Sequence, residues 1–299
     1  MRKLYILPFD HRGSFIKMFG LSEKNLTEKD VAQLVDYKHI VYEGFLVALE
    51  LGVSREAAAI LVDEQFGEKI HQEARSARIT RILTTEKSGQ DEFDFEYGEA
   101  WKDHINKLKP EYVKVLVRYN PDSDKKLNER QIGRLKMMNN FCRDAGYKFL
   151  FELLAIPTAE QIKTSGGTEE YERKLRGEVM RQSIRELRVN DIDPDVWKLE
   201  GLDDQEQFRA VVEETQRNAE KDVGVIVLGR GESEEKVRNW LAVAAKIQGV
   251  IGLAVGRTVF KQSLLDYASG KIKRNDAATM IAKNYKGFID IFEAARSVP

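Results

Sequence analysis

A lysine and a glutamate stand two residues apart, as Lys198 and Glu200, in the run from Asp195 to Gly201. If that run is a short buried strand, a period of two turns both side chains to one face. Burial disfavours a lysine's charged form, so such an amine is either paired or used. A neutral amine is the nucleophile that forms a Schiff base with a carbonyl carbon. The competing reading is a salt-bridged lysine with a purely structural task. Other apolar runs are interrupted in the same way, by Lys114 and Arg118 between Tyr112 and Tyr119 and by Glu152 between Lys148 and Leu154. Polar residues also collect where apolar runs end: Asp10 and Arg12, Asp63, Glu86 and Lys87, Arg230 between Gly229 and Gly231, and Arg257 after Gly256.

Scattered residues of this kind become a site only if the fold gathers them. Eight apolar runs read as strands: Leu4 to Phe9, Ala58 to Asp63, Arg81 to Thr85, Tyr112 to Tyr119, Lys148 to Leu154, Asp195 to Gly201, Val223 to Leu228 and Val250 to Val255. Helical patterns follow most of them, at Glu28 to Leu51, Tyr97 to Leu108, Glu129 to Ala145, Glu169 to Val189, Asp204 to Glu220 and Glu234 to Lys246. Thr27 is a cap-like start and Gly146 a stop, and helices at Phe260 to Ala268 and Asp276 to Ala295 finish the chain. Glu64 to Gly67 reads only as a strand-end loop. Strands alternating with amphipathic helices imply parallel β-α-β units. Eight units in this length predict a single (β/α)8 TIM barrel over 1–299, whose strand C-termini share one mouth. No G-x-G-x-x-G follows the first strand, which argues against a dinucleotide-binding sheet.

Gathered at one mouth, a lysine near Lys198 would help keep its amine neutral, and a carboxylate could move protons. Glycines with arginines after the last two strands suit a phosphate group, through backbone N–H groups and a guanidinium. The chemistry indicated is a Schiff-base reaction on a phosphorylated carbonyl compound.

Composition narrows the partners. The 299 residues are 42% hydrophobic and 32% charged, with a net charge of -1, so no overall basic field points to nucleic acid or a membrane surface. The basic stretch Lys271 to Arg274 reads as a solvated helix end. One cysteine, Cys142, excludes an internal disulfide framework and suits a reducing cytoplasm. The opening Met1 to Pro8 is too short an apolar run for a signal peptide, and no stretch approaches a membrane span. His11, His39, His71 and His104 show no metal-ligand spacing, so no metal or other cofactor is expected. Among them only His11 ends a strand, and His39 reads as a core or interface residue.

The run Leu4 to Ser14, containing Asp10-His-Arg-Gly13, resembles the Asp-Gln-Arg-Gly opening of the tagatose-1,6-bisphosphate aldolase group of class I aldolases. The similarity continues through Ile60 to Asp63, Glu86 to Gly89, Val113 to Val117, Phe149 to Leu153 and Asp195 to Glu200, and ends at Gly256-Arg257. Pro8 to Arg12 is more similar still to the aldolase-like domain fused to some 5-dehydro-2-deoxygluconokinases of myo-inositol catabolism. The family also includes sulfofructose-phosphate aldolases. The resemblance implies a Schiff-base lysine at Lys198, an acid/base glutamate at Glu152, active-site partners at Asp10 and Lys114, and a phosphate-binding arginine at Arg257. It departs at His11, where the tagatose enzymes have glutamine, and at Gly229-Arg-Gly231, where they have a serine-containing loop. Cleavage of 2-deoxy-5-keto-D-gluconate 6-phosphate to dihydroxyacetone phosphate and malonate semialdehyde is the expected reaction, with Arg12 or Arg118 holding the distal carboxylate. Tagatose 1,6-bisphosphate, a sulfofructose phosphate, transaldolase-type chemistry and a non-catalytic sugar-phosphate-binding barrel are the alternatives. A functional link to a sugar kinase is a further expectation, and oligomerisation through exposed helix faces is left open.

Overall fold

The computed structural model describes residues 2–219 and 221–297. Glu220, the expected end of one helix, lies outside the described residues, as do Met1, Val298 and Pro299. The chain starts with strand β1 (Leu4–Pro8), a short helix α1 (Gly13–Met18) and the long helix α2 (Glu28–Glu50). Next come β2 (Ala58–Val62), α3 (Glu64–Ser76), β3 (Thr80–Thr84), α4 (Trp101–Leu108), β4 (Tyr112–Tyr119) and α5 (Lys125–Ala145). The middle holds β5 (Lys148–Ala155), three consecutive helices α6 (Ala159–Ser165), α7 (Thr168–Lys174) and α8 (Arg176–Val189), then β6 (Val196–Glu200) and α9 (Gln205–Gln216). The last part is β7 (Gly224–Leu228), α10 (Glu234–Ala244), β8 (Val250–Ala254), α11 (Arg257–Ala268) and α12 (Arg274–Arg296).

All eight strands pair in parallel and in sequence order, and β8 closes onto β1. This is the expected (β/α)8 barrel. Alternation along the strands makes two apolar layers. Leu4, Ile6, Ala59, Leu61, Ile82, Leu150, Val196 and Ile226 fill the barrel interior. Their neighbours in sequence face outward and join the helices in a larger cluster containing Leu7, Ile60, Phe151 and Trp197. On β1, β3, β4, β5 and β6 the inward series reaches a charged residue toward the C-terminal end, at Asp10, Glu86, Lys114, Glu152 and Lys198, above the apolar interior.

Three expectations need correction. Glu64 to Gly67 opens a full helix, α3, because Asp63 caps it by accepting from the Phe66 N–H at 2.8 Å. The single helix expected from Glu169 to Val189 is two, α7 and α8, joined at Leu175, and α6 precedes them. Arg274 is not merely solvated, since its guanidinium clasps Glu43 and Asp36 on α2 and ties the last helix to the first long one. No helix among the described residues is long and apolar enough to cross a membrane.

Candidate active site

Register decides the centre of the mouth. Glu152 on β5 pairs directly with Lys198 on β6, so their side chains lie side by side on the inner face. The Lys198 amine donates to Glu152 Oε2 at 2.8 Å, and the same oxygen lies 3.0 Å from the amine of Lys114 on β4. Lys114 also donates to Asp10 Oδ2 at 2.9 Å and to Glu86 Oε1 at 2.6 Å. Glu86 is fixed in turn by the Thr84 hydroxyl at 2.6 Å and the Leu116 N–H at 3.2 Å. Two lysines and three carboxylates drawn from five strand ends thus form one buried network.

Its electrostatics follow from burial against pairing. For Lys114, burial opposes the charge, but the carboxylates of Asp10, Glu152 and Glu86 outweigh it and hold the ammonium well above the ordinary lysine value. Burial pushes the Asp10 and Glu152 carboxyls up, yet Lys114 and Lys198 more than reverse this and both lie below the usual carboxylate range. Lys114 is therefore a fixed cation matched by three carboxylates, and not the uncompensated charge beside Lys198 that the expected role of a second lysine requires.

The network forms the floor of a cavity of about 340 Å³ lined also by Pro8, His11, Ser88, Leu154 and Thr258. One side combines glycines with a guanidinium. Gly229, Gly231 and Gly256 line it together with Arg257, the first residue of α11, whose N-terminus opens there. A Cβ at Gly256 would run into the Pro8 carbonyl, and one at Gly231, where φ is +81°, would strike the Arg257 guanidinium. Arg257 donates to the Arg230 carbonyl at 3.2 Å and has no carboxylate partner among the described residues. The opposite side carries Lys87, Gln90 and Arg118, whose guanidinium donates to the Gln90 carbonyl at 2.6 Å.

Several sequence candidates occupy different places. Arg230 lines the cavity, but its guanidinium is held by Glu200 at 2.8 Å and Glu172 at 3.2 Å, so it is not free for a phosphate. Glu200 does not line the cavity. Fully enclosed, it accepts from the Ala155 N–H at 3.2 Å and anchors Arg230, with Arg176 at 3.5 Å. Burial raises its carboxyl above the ordinary value, against the pull of both arginines. Arg12 lines the cavity yet is committed to Glu96 at 2.5 Å and to the Glu86 carbonyl at 2.5 Å. Asp63 does not line the cavity and pairs with Lys38 of α2. His39 is no core residue; it bridges Glu43 and Glu73 on neighbouring helices at 3.1 and 2.9 Å. Sequence reasoning passes over Lys38, Thr84, Glu96 and Glu172. Lys38 has a signal: it falls inside the buried stripe of Leu34, Val41 and Phe45 on α2.

Comparisons with known proteins agree with this architecture. The sequence model of a family described as "Uncharacterized protein conserved in bacteria (DUF2090)" matches residues 1–296. The tagatose 1,6-diphosphate aldolase of Listeria monocytogenes is 29% identical over 202 residues, covering 65% of this chain and 54% of that protein. The chain therefore spans about half the length of that curated relative. Tagatose 1,6-diphosphate aldolase 2 of Streptococcus pyogenes is 24% identical over 280 residues, 87% of this chain and 81% of its own. Among solved structures, the fructose-bisphosphate aldolase of Slackia heliotrinireducens superposes with a TM-score of 0.56 at 11% identity, covering 95% of this chain and 86% of the other. At that identity the likeness concerns the fold alone.

Proposed function

We propose that this chain, which belongs to the DUF2090 family, is a class I aldolase that cleaves a ketose-type sugar phosphate through a Schiff base on Lys198. The observation that carries the reading is one carboxylate oxygen, Glu152 Oε2, shared by two buried lysine amines at 2.8 and 3.0 Å on the floor of an open cavity. A pure binding pocket has no use for a buried primary amine beside a proton acceptor. Similarity to tagatose 1,6-diphosphate aldolases supports the aldolase part of the reading.

In this mechanism Glu152 takes a proton from the Lys198 ammonium, and the free amine attacks the ketone carbon. The carbinolamine hydroxyl is protonated by the same carboxyl and leaves as water, giving an iminium. Glu152 or Asp10 then removes the proton from the hydroxyl on the far carbon of the breaking bond. That carbon becomes an aldehyde, the carbon–carbon electron pair moves into the iminium, and an enamine remains. Protonation of the enamine carbon and hydrolysis by water release dihydroxyacetone phosphate and restore the amine. Lys114 keeps its proton throughout and holds Asp10 and Glu152 in place. Arg257, with Gly229, Gly231 and Gly256, binds the phosphate.

The substrate we favour is 2-deoxy-5-keto-D-gluconate 6-phosphate, with malonate semialdehyde as the second product and a functional link to a sugar kinase. The support is the resemblance to the kinase-fused domain, together with Arg118, a guanidinium at the far side of the cavity with no carboxylate partner among the described residues. Arg12, bound to Glu96, is the poorer choice for the distal carboxylate. Tagatose 1,6-bisphosphate is the second reading, favoured by the two aldolase relatives.

Borohydride reduction in the presence of dihydroxyacetone phosphate, followed by peptide mass spectrometry, tests the chemistry. A reduced adduct on Lys198 is expected, and an adduct elsewhere discards the assigned nucleophile. A folded protein that binds the phosphate but yields no adduct is a binding barrel and not an aldolase. Malonate semialdehyde or glyceraldehyde 3-phosphate among the products then separates the two substrates.

A further inference from the structure

We propose that His11 is a ligand-binding residue of the anion side, its imidazole donating a hydrogen bond to an oxygen of the bound phosphate. This rests on reading the Arg257 end of the cavity as a phosphate site. His11 follows Asp10 at the end of β1 and lines the cavity. Its ring packs edge-on against Phe260 of α11, with centroids 6.0 Å apart. Its Cε1 lies 3.3 Å from where a Cβ on Gly256 would stand, beside the N-terminus of α11. The ring is therefore wedged between Phe260 and the Gly256 end of the cavity.

What the ring lacks is as telling as where it sits. Nδ1 is enclosed and has no hydrogen-bond partner among the described residues. An enclosed polar atom without a partner is costly, and a phenylalanine would satisfy the packing against Phe260 without that cost. An imidazole there makes sense if its other nitrogen has work in the cavity. Burial, then Arg257, Lys198 and Lys38, bring its pKa down to about 4 against the opposing charge of Asp10. At neutral pH the ring is uncharged, with one N–H to give. A phosphate dianion arriving between the ring and Arg257 would reverse the local field and draw that pKa upward.

The test uses inorganic phosphate as probe, on the full chain. His11→Phe, which keeps the packing, should bind phosphate about tenfold more weakly, the worth of one hydrogen bond to a charged group. His11→Gln restores a donor and should recover most of the affinity. In NMR spectra with labelled histidine rings, phosphate should move the His11 signals and raise its titration midpoint from about 4, leaving His39, His71 and His104 unmoved. Phosphate binding that is lost in Arg257→Gln but unchanged in His11→Phe, with a silent His11 ring, overturns the proposal. So does a protein that does not bind phosphate. If His11 responds and no Lys198 adduct forms, the aldolase reading fails while the His11 assignment stands. A Lys198 adduct with a silent His11 ring keeps the aldolase and removes His11 from the phosphate site.

Discussion

Of the lysines buried against carboxylates, Lys38 and Lys198 sit in different surroundings. Lys38 on α2 is fully enclosed and paired with Asp63, which is equally enclosed. The rings of Phe15 and Phe66 close over the amine at 5.3 and 5.5 Å, and the remaining Asp63 oxygen caps α3. Lys198 and Glu152 are almost as buried, at 4% and 6% exposure, but the little surface they keep opens onto the cavity. Both amines are buried and each faces a buried carboxylate. Access is what the proposed chemistry needs of Lys198 and what Lys38 lacks, because a nucleophile must meet a substrate carbon atom. The first pair is enclosed by aromatic rings; the second faces a cavity that also holds Arg257, which has no carboxylate partner among the described residues.

Substitution should expose that difference most strongly at the amines. Lys198→Arg keeps the charge but removes the amine, and should lower turnover by about 10⁴-fold or more in a chain that still folds, consistent with loss of covalent catalysis. Steady-state aldol cleavage checks it, and a variant retaining a tenth of wild-type activity would remove Lys198 from the chemistry. Lys38→Met should instead destabilise the fold by about 3–5 kcal/mol, since Asp63 is left charged and enclosed. Urea melts would show the drop, and activity per folded molecule should stay within a factor of a few. Adding Asp63→Asn, which can still cap α3, should restore most of the lost stability. If Lys38→Met abolished activity without touching stability, the distinction between the two lysines would collapse.

The smallest expected effect is in the pH dependence of stability. Asp10 and Glu152 are depressed in the folded state, so their contribution is fully present above the unfolded carboxyl values near pH 4 and is lost as pH falls through the folded ones. The urea midpoint of the wild type should fall steeply below about pH 4.5. Glu152→Gln should fall less steeply there, although it begins from a lower midpoint at pH 7. Equal slopes in the two proteins would mean that Glu152 titrates alike folded and unfolded.

Most of the architecture is legible in the sequence because a strand's period and a helix's period are local. Tyr112 to Tyr119 reads as a strand from its own residues and is one. The helix α3 escapes such reading for a local reason too: Asp63 looks like the end of a strand, while its side chain starts the next element. The differences within the site have another origin. Arg12, Arg230 and Glu200 do stand at strand ends, yet spacing cannot tell which partner each will find. A guanidinium near a glycine loop is a phosphate ligand only if no carboxylate reaches it first. For Arg230 two do, and for Arg257 none does among the described residues.

By itself, then, the sequence determined the eight strands, the helices that join most of them, and the set of charges that interrupt the strands near their ends. These depend on spacing, which the chain carries without folding. Only the tertiary structure decided which of those charges share a network. Asp10 and Lys114 lie 104 residues apart and meet at 2.9 Å because a closed parallel barrel brings every strand's C-terminus to one rim. It also decided which buried amine faces open space, since enclosure is set by what neighbouring elements cover, and no local pattern encodes that.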